Sequence, residues 1–212
     1  MSRIAVKVLS LGVSNRASIY SGLGKAGGEP DAIRSVREIR DAERLVVPGV
    51  GSFGAGMERL RIDGSDRALR ARIEDGSPTL LVCLGMQLLA ESSEESPGID
   101  GLGVLPVRAV RFGGGLTVPQ MGWNEVRLAP GGKNAGAGDA VLAEGQAYFA
   151  NSYCLREAPD TGTTAWAEYD RPFLAAWRKG ATVACQFHPE LSGAWGIDWL
   201  RRWLRADSVA PC

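Results

Sequence analysis

The chain has 212 residues, long enough to bury a sizeable core, and its 24 lysines and arginines balance its 24 aspartates and glutamates. Without net charge or a long block of one sign it lacks the basic surface that nucleic acids require, so we expect no nucleic-acid partner. No apolar run reaches membrane length and the first residues lack a secretory pattern, so we expect no membrane association and a cytoplasmic protein.

The first 83 residues alternate patterns of strand and helix. In chain order they predict a strand over 4–9, a turn at 12–15, a helix over 16–26, a strand near 32–33, a helix over 36–42, a strand over 45–47, helices over 55–60 and 66–74, and a strand over 78–82. This alternation predicts an α/β fold with a doubly wound, largely parallel central sheet.

The second half is richer in short strands separated by turn residues. These strands are predicted over 104–110, 124–128, 147–154, 164–168, 173–177 and 182–187, with a hairpin turn at 169–172 and a surface loop at 131–138. The pattern predicts an antiparallel extension of the sheet. Trp195, Trp199 and Trp203 recur at helical spacing and predict the packing face of a closing helix. We expect one domain over 1–204 and a C-terminal tail over 205–212.

Cys83 lies at the end of the fourth predicted strand and directly before a predicted helix. Groups at the carboxyl end of such a strand face the ligand crevice of an α/β sheet. Gly85 is expected to let the backbone turn sharply, and the first turn of the helix supplies N–H dipoles that favour a thiolate. The pattern predicts a nucleophilic cysteine at a strand-turn-helix elbow.

His188 is the only histidine of the chain, and it precedes Glu190 by two residues after another predicted strand. A thiol, an imidazole that takes its proton and a carboxylate that orients the imidazole form the triad of acyl transfer on cysteine. The N–H of Leu84 and the turn Gly49-Val50-Gly51 are candidate oxyanion donors. With one histidine and no CxxC pair, we expect neither a metal site nor a cofactor.

Each of these features also has an interpretation without chemistry. Free cysteines are commonly buried packing residues, which is how we interpret Cys154 and Cys185, whereas Cys212 ends the chain and is expected to fray. A lone histidine can be a hydrogen-bonded core residue, and Glu190 can be a solvated charge at a helix start. The turn Gly49-Val50-Gly51 can simply end a strand or bind phosphate, although no Gly-Lys-Ser/Thr follows it.

Five segments together resemble the triad-type class I glutamine amidotransferases, a family with a flavodoxin-like fold. They are Val82-Cys83-Leu84-Gly85-Met86-Gln87, Pro48-Gly49-Val50-Gly51-Ser52-Phe53-Gly54, Val118-Pro119-Gln120-Met121-Gly122-Trp123-Asn124, Tyr148-Phe149-Ala150-Asn151-Ser152-Tyr153 and Phe187-His188-Pro189-Glu190. The cysteine and His-Pro-Glu segments specify only this family. The Met-Gly-Trp-Asn and Tyr-Phe-x-x-Ser-Tyr segments are similar to its branch of glutaminase subunits of imidazole glycerol phosphate synthase.

The resemblance implies a glutaminase of histidine biosynthesis in which Cys83 attacks the side-chain amide of glutamine, His188 handles the protons and Glu190 orients His188. The substrate contacts that it implies are Gln87, Glu95, Ser152, Tyr153 and Gly51. It further implies a heterodimer with a (β/α)8-barrel cyclase subunit, which uses the ammonia to make imidazole glycerol phosphate and an aminoimidazole carboxamide ribotide. Without the resemblance, Glu94 and Glu95 would be interpreted as part of a solvated loop.

The chain departs from the commonest family pattern at five positions outside the triad: Ser14, Val82, Gln120, Asn151 and Leu191. Gln120 and Asn151 stand where histidine is frequent. Leu191 replaces a lysine and removes a cation expected near the partner surface, which affects how the subunit pairs with its cyclase. Other functions stay open: a related subunit that feeds another ammonia acceptor, a catalytically silent regulatory subunit, and a peptidase-like hydrolase with the same cysteine elbow.

Overall fold

The computed structural model describes residues 3–11, 16–129, 139–157 and 159–206. The predicted turn at 12–15, with Ser14, and the predicted loop at 131–138 lie outside these residues. The same holds for residues 207–212 of the predicted tail, with Cys212. No helix in the described part of the chain is long and apolar enough to cross a membrane.

Strands and helices of the first half alternate as predicted. They are β1 Ile4–Val8, α1 Arg16–Ala26, β2 Gly28–Ala32, α2 Val36–Asp41, β3 Leu45–Gly49, α3 Phe53–Ile62, α4 Ser65–Glu74, β4 Thr79–Cys83 and α5 Leu84–Gln87. The second half contains β5 Ser92–Ser93, β6 Arg108–Arg111, β7 Gln120–Leu128, β8 Gly145–Asn151, β9 Tyr153–Leu155, β10 Thr163–Glu168, β11 Pro172–Lys179, β12 Thr182–Cys185, a one-turn 3-10 helix Pro189–Leu191 and α6 Gly193–Arg205.

Nine strands form one sheet in the order β2-β1-β3-β4-β12-β11-β10-β7-β8. Neighbours from β2 to β12 pair in parallel, and the sheet then continues through β11, β10, β7 and β8 with antiparallel pairing. β5, β6 and β9 form a small second sheet. The predicted fold class, a parallel sheet with an antiparallel extension in the C-terminal half, is confirmed.

Each face of the large sheet has its own hydrophobic core, because successive strand residues point to opposite faces. In β3, Val46 belongs to the cluster that α1 and α6 cover, whereas Leu45 and Val47 belong to the cluster that α2, α3 and α4 cover. Trp199 and Trp203 of α6 are buried in the first cluster, so the predicted closing helix is confirmed. Helices on both faces leave the strand ends free to build a site. Whether 1–204 acts as one domain stays a prediction, and α6 itself ends at Arg205.

Several predicted strands have different bounds in the structure, and for three of them the structure shows the physical reason. β2 begins at Gly28 and includes Pro30, which lacks an N–H group. The strand tolerates this proline because it lies at the edge of the sheet and pairs with a neighbour on one side only. The strand predicted over 147–154 is broken at Ser152, where the chain passes from the large sheet to the small one. The strand predicted from 104 begins at Arg108, since the N–H of Val104 bonds to the loop after α5 instead.

Three neighbouring parallel strands bring the candidate residues to one edge of the sheet. β3 ends at Gly49 and β4 at Cys83, and these two residues are register partners. β12 lies on the other side of β4 and ends at Cys185, two residues earlier than predicted. The chain then leads directly to His188, so the carboxyl ends of three strands share one crevice.

Candidate active site

Cys83 sits at a strained corner between β4 and α5. Its backbone angles are φ 53° and ψ −108°, and in the described part of the chain no other residue except glycine has a positive φ. Such a conformation costs roughly 1–3 kcal/mol and persists only where the surrounding structure enforces it. The corner places the side chain at the wall of a cavity, as an elbow nucleophile requires.

The role predicted for Gly85, that of permitting a sharp turn, is wrong. Gly85 lies within α5 and has no positive φ, so the turn is made by Cys83 itself. A Cβ atom at residue 85 would lie 2.3 Å from the carbonyl oxygen of Val47 in β3. Glycine is needed because α5 passes close over the neighbouring strand, and this close approach fixes the position of the elbow.

His188 and Glu190 form the other half of the site. Nδ1 of His188 lies 2.9 Å from Oε1 of Glu190, across the start of the 3-10 helix. The Glu190 side chain is only 5% exposed, so it is not the solvated charge of the alternative interpretation. A carboxylate accepts hydrogen bonds, so Nδ1 carries a proton and Nε2 is left for the thiol. The His188 ring is also hydrogen-bonded to Cys83.

These contacts make His188 a cation at neutral pH. Burial lowers the pKa of His188, but hydrogen bonds to Cys83 and Glu190, together with their charges, outweigh burial and raise it from 6.5 to about 10. For the two described cysteines other than Cys83, burial is the dominant influence on the pKa. It raises the pKa of Cys154 to about 12 and that of Cys185 well above its ordinary value, so both are core thiols at neutral pH.

Two buried glutamine side chains lie behind Cys83. Gln87 donates through Nε2 to the carbonyl oxygen of Tyr153 at 2.8 Å and to Oε1 of Gln186 at 3.0 Å. Gln186 donates through Nε2 to Sγ of Cys83 at 3.5 Å. The sequence pattern did not predict Gln186. The available signal was a polar residue directly after an apolar strand, between Cys185 and the Phe-His-Pro-Glu segment.

A cavity of about 250 Å³ borders Cys83. The predicted substrate contacts that line it together with Cys83 are Val50, Gly51, Leu84, Gln87, Glu95, Ser152 and Tyr153. Gly49 does not line the cavity but pairs with Cys83 in the sheet. Pro119, Ala150 and Asn151 complete the wall. Segments that are up to a hundred residues apart in the sequence therefore meet around one thiol.

The turn after β3 supplies backbone donors at this cavity. Gly51 has a φ of 117°, a conformation that other residues rarely adopt. Neither Val50 nor Gly51 donates its N–H to another described residue. Both line the cavity that Cys83 faces, where an oxyanion that develops on a substrate carbonyl needs such donors.

Glu94 and Glu95 have different surroundings, although the sequence pattern alone treats them alike. Glu94 is exposed and accepts the N–H of Arg111. Glu95 is half-buried at the cavity, where Oε2 accepts the N–H of Phe53 at 2.6 Å and so caps the first turn of α3. This bond fixes the carboxylate at the wall.

Four of the five residues that depart from the family pattern are among the described residues, and one of them, Asn151, lines the cavity. Gln120 and Asn151 are register partners in β7 and β8, and both are buried. Their side-chain oxygens, Oε1 and Oδ1, have no hydrogen-bond partner among the described residues. Val82 is buried in β4, and Leu191 is 38% exposed on the 3-10 helix.

Residues 8–205 match the family model of glutamine amidotransferase class-I. The chain is 36% identical to the imidazole glycerol phosphate synthase subunit HisH of Streptococcus gordonii, over 92% of this chain and 93% of that protein. It is 35% identical to the subunit of the same name from Methanothermobacter thermautotrophicus, over 94% of this chain and 97% of that one. A chloroplastic imidazole glycerol phosphate synthase hisHF of Arabidopsis thaliana is 38% identical over 94% of this chain but 34% of its own length. A crystal structure of a glutamine amidotransferase aligns with a TM-score of 0.72 and 22% identity, covering 93% of this chain and 98% of the other.

Proposed function

The chain belongs to the class-I glutamine amidotransferases and, within them, to the family of the imidazole glycerol phosphate synthase subunit HisH, and we propose that Cys83 is its nucleophile. The protein is the glutaminase subunit of that synthase in histidine biosynthesis. The observation that carries the site assignment is the contact of His188 with both Cys83 and Glu190 at the strand ends. A catalytically silent regulatory subunit is not favoured. A subunit that supplies ammonia to a different acceptor is not favoured either.

In the proposed reaction the Cys83 thiolate attacks the carbonyl carbon of the glutamine side-chain amide. The imidazolium of His188 donates its proton to the leaving nitrogen, the C–N bond breaks, and ammonia and a glutamyl thioester result. Neutral His188 then takes a proton from water as the oxygen attacks the thioester. Glutamate leaves and the pair of thiolate and imidazolium is restored. The raised pKa of His188 supports this sequence, because the proton for the leaving group is present at neutral pH.

The cavity wall supplies the proposed substrate contacts. Glu95 and Gln87 hold the amino-acid head group of glutamine, and Ser152 and Tyr153 border it. Their common position on one wall with the nucleophile supports this assignment. In this arrangement the side-chain amide of glutamine reaches the sulfur of Cys83.

The oxyanion of the tetrahedral intermediate is assigned to backbone donors at Leu84 and at the turn Gly49-Val50-Gly51. A peptide flanked by glycines can reorient its N–H at modest cost, so a partner's ligand can complete the donor set by shifting its population. We therefore assign the control of glutamine hydrolysis to this turn.

The partner in this proposal is a (β/α)8-barrel cyclase subunit, which joins the chain in a heterodimer and receives the ammonia. It would use the ammonia to form imidazole glycerol phosphate and an aminoimidazole carboxamide ribotide. The Arabidopsis relative supports a permanent partner, because this chain matches only a third of it. Exposed apolar side chains on elements that border the cavity also support one: Val50, Met121, Trp123 and Leu191. The described cysteines are free thiols, which supports a reducing, cytosolic setting.

Steady-state glutaminase rates test this function and its control. We expect slow glutamate formation by the chain alone and faster turnover with the cyclase and its nucleotide ligand. One missing oxyanion donor is worth on the order of a hundred- to a thousandfold in turnover, so the acceleration should be at least of that order. Equal turnover under all conditions would refute control by the turn, and no glutamate under any condition would refute the function.

A further inference from the structure

We propose that Gln186 is a further catalytic residue, which holds the sulfur of Cys83 as a thiolate by donating a side-chain N–H to it. The inference deepens the proposed function, since it takes Cys83 as the nucleophile. Nε2 of Gln186 lies 3.5 Å from Sγ of Cys83, an ordinary separation for a hydrogen bond to sulfur. No part of the triad provides this contact.

The direction of the Gln186 amide follows from the groups behind it. A main-chain carbonyl oxygen can only accept a hydrogen bond, so the carbonyl of Tyr153 requires that Gln87 present its Nε2. The same Nε2 donates to the side chain of Gln186 at 3.0 Å, so Gln186 must present its oxygen to Gln87. The remaining end of the Gln186 amide, the N–H end, therefore faces the sulfur.

Burial makes this donor effective. Gln186 is fully buried and Gln87 is 6% exposed, so water does not compete for their hydrogen bonds. A hydrogen bond from an amide to an ionised acceptor is roughly twice as strong as one between neutral groups. The amide therefore favours the thiolate over the thiol, as a donor additional to His188.

The backbone holds Gln186 in place independently of its side chain. Its N–H donates to the carbonyl oxygen of Ala175 in β11 at 2.8 Å, which extends the pairing of β11 and β12 by one residue. Two residues later the chain reaches His188. One short turn therefore positions both the imidazole and the amide around the same sulfur.

Alkylation of Cys83 as a function of pH tests this role. Iodoacetamide is added to the isolated chain, and the rate at Cys83 is followed by mass spectrometry. In Gln186→Met, which keeps the length of the side chain but removes the donor, we expect the pH midpoint of alkylation to rise by about one unit, and the rate at a pH well below the wild-type midpoint to fall about tenfold. Gln120→Met is the matched control, because it also removes a buried amide but one with no hydrogen bond to the sulfur among the described residues, and its midpoint should not move.

An unchanged midpoint in folded Gln186→Met overturns the proposal. If that variant does not fold, Gln87→Met decides, since it removes the bond that orients the Gln186 amide. We expect a smaller rise of the midpoint there, and no rise overturns the proposal as well. Alkylation needs neither glutamine nor a partner. Loss of the proposed glutaminase function would therefore appear in the turnover assay, while the alkylation midpoints would still report on Gln186.

Discussion

Cys83 combines a positive φ with a side chain that is 6% exposed, and its neighbours explain how both are maintained. The missing side chain of Gly85 lets α5 approach β3, and the contact between helix and strand holds the corner. His188 and Gln186, which lie about a hundred positions downstream in the sequence, also contact the sulfur. The sequence pattern predicts the nucleophile and the imidazole, because their residue types are rare. It does not predict Gln186, because an amide acquires its role only through the fold.

The charge of His188 can be measured directly, because the chain has one histidine. We expect its imidazole resonances to titrate with a pKa of about 10 in the folded chain, so that the cation persists at pH 8. Glutaminase activity that depends on this proton should be present at neutral pH and fall as the pH rises through about 10. The measurement is a proton-carbon NMR titration of the isolated chain.

The Glu190→Gln variant provides the comparison for this titration. Burial lowers the pKa of His188 and the carboxylate raises it, so removal of the negative charge should move the midpoint downward. The unfolded chain should titrate near the ordinary value of about 6.5. A midpoint at or below that value in the folded wild-type chain would contradict the described arrangement.

At the scale of elements, two helices hold the 3-10 helix that carries Glu190. In α1, a Cβ atom on Gly22 would lie 2.9 Å from the Cβ atom of Glu190 and 3.2 Å from its Cα atom. In α6, a Cβ atom on Gly196 would lie 2.0 Å from the carbonyl oxygen of Pro189. Glycines on both helices therefore let Pro189 and Glu190 lie close to the helix backbones.

Substitution of Gly22 tests this packing against a control in the same helix. Gly22→Ala should displace Glu190, lower glutaminase turnover about ten- to a hundredfold and cost about 1–3 kcal/mol of stability. Apart from its chain neighbours and its own helix backbone, no described atom lies within 4 Å of a Cβ on Gly24, so Gly24→Ala should keep turnover and, because alanine favours helix, keep or raise stability. Turnover and chemical denaturation check both variants. Equal turnover in the two would show that the contact at Gly22 does not position the triad.

The sequence predicts elements well where local signals are strong. α1 runs over Arg16–Ala26 as predicted, since its apolar spacing indicates a helix and Gly27 and Gly28 mark the helix end. The strand predicted near 32–33 lies over Gly28–Ala32 instead, because Pro30 disfavours a strand except at the edge of a sheet. Which strand lies at the edge depends on the whole sheet. The break at Ser152 likewise depends on two sheets that the chain joins. Pairing order and sheet changes are long-range properties that no local pattern contains.

At the scale of the whole molecule, the two halves of the sheet have separate tasks. The parallel half provides the elbow with Cys83 and, through β12, the turn that leads to His188. The antiparallel half provides the cavity wall at Asn151 and the exposed side chains of Met121 and Trp123 in β7. Chemistry and the proposed partner surface thus lie at one end of the molecule, which suits direct transfer of ammonia to a second subunit.

The most direct test of the account compares two ammonia sources in the complex of this chain with the proposed cyclase subunit. Cys83→Ala should lower glutamine-dependent formation of imidazole glycerol phosphate by at least about a thousandfold, because no nucleophile remains. Formation supported by ammonium salts should continue, because in the proposed division of labour the cyclase subunit carries out that step. Cys154→Ala, which removes only a core thiol, should retain use of glutamine. Retained use of glutamine by Cys83→Ala, or loss of both activities in a folded complex, would contradict the account.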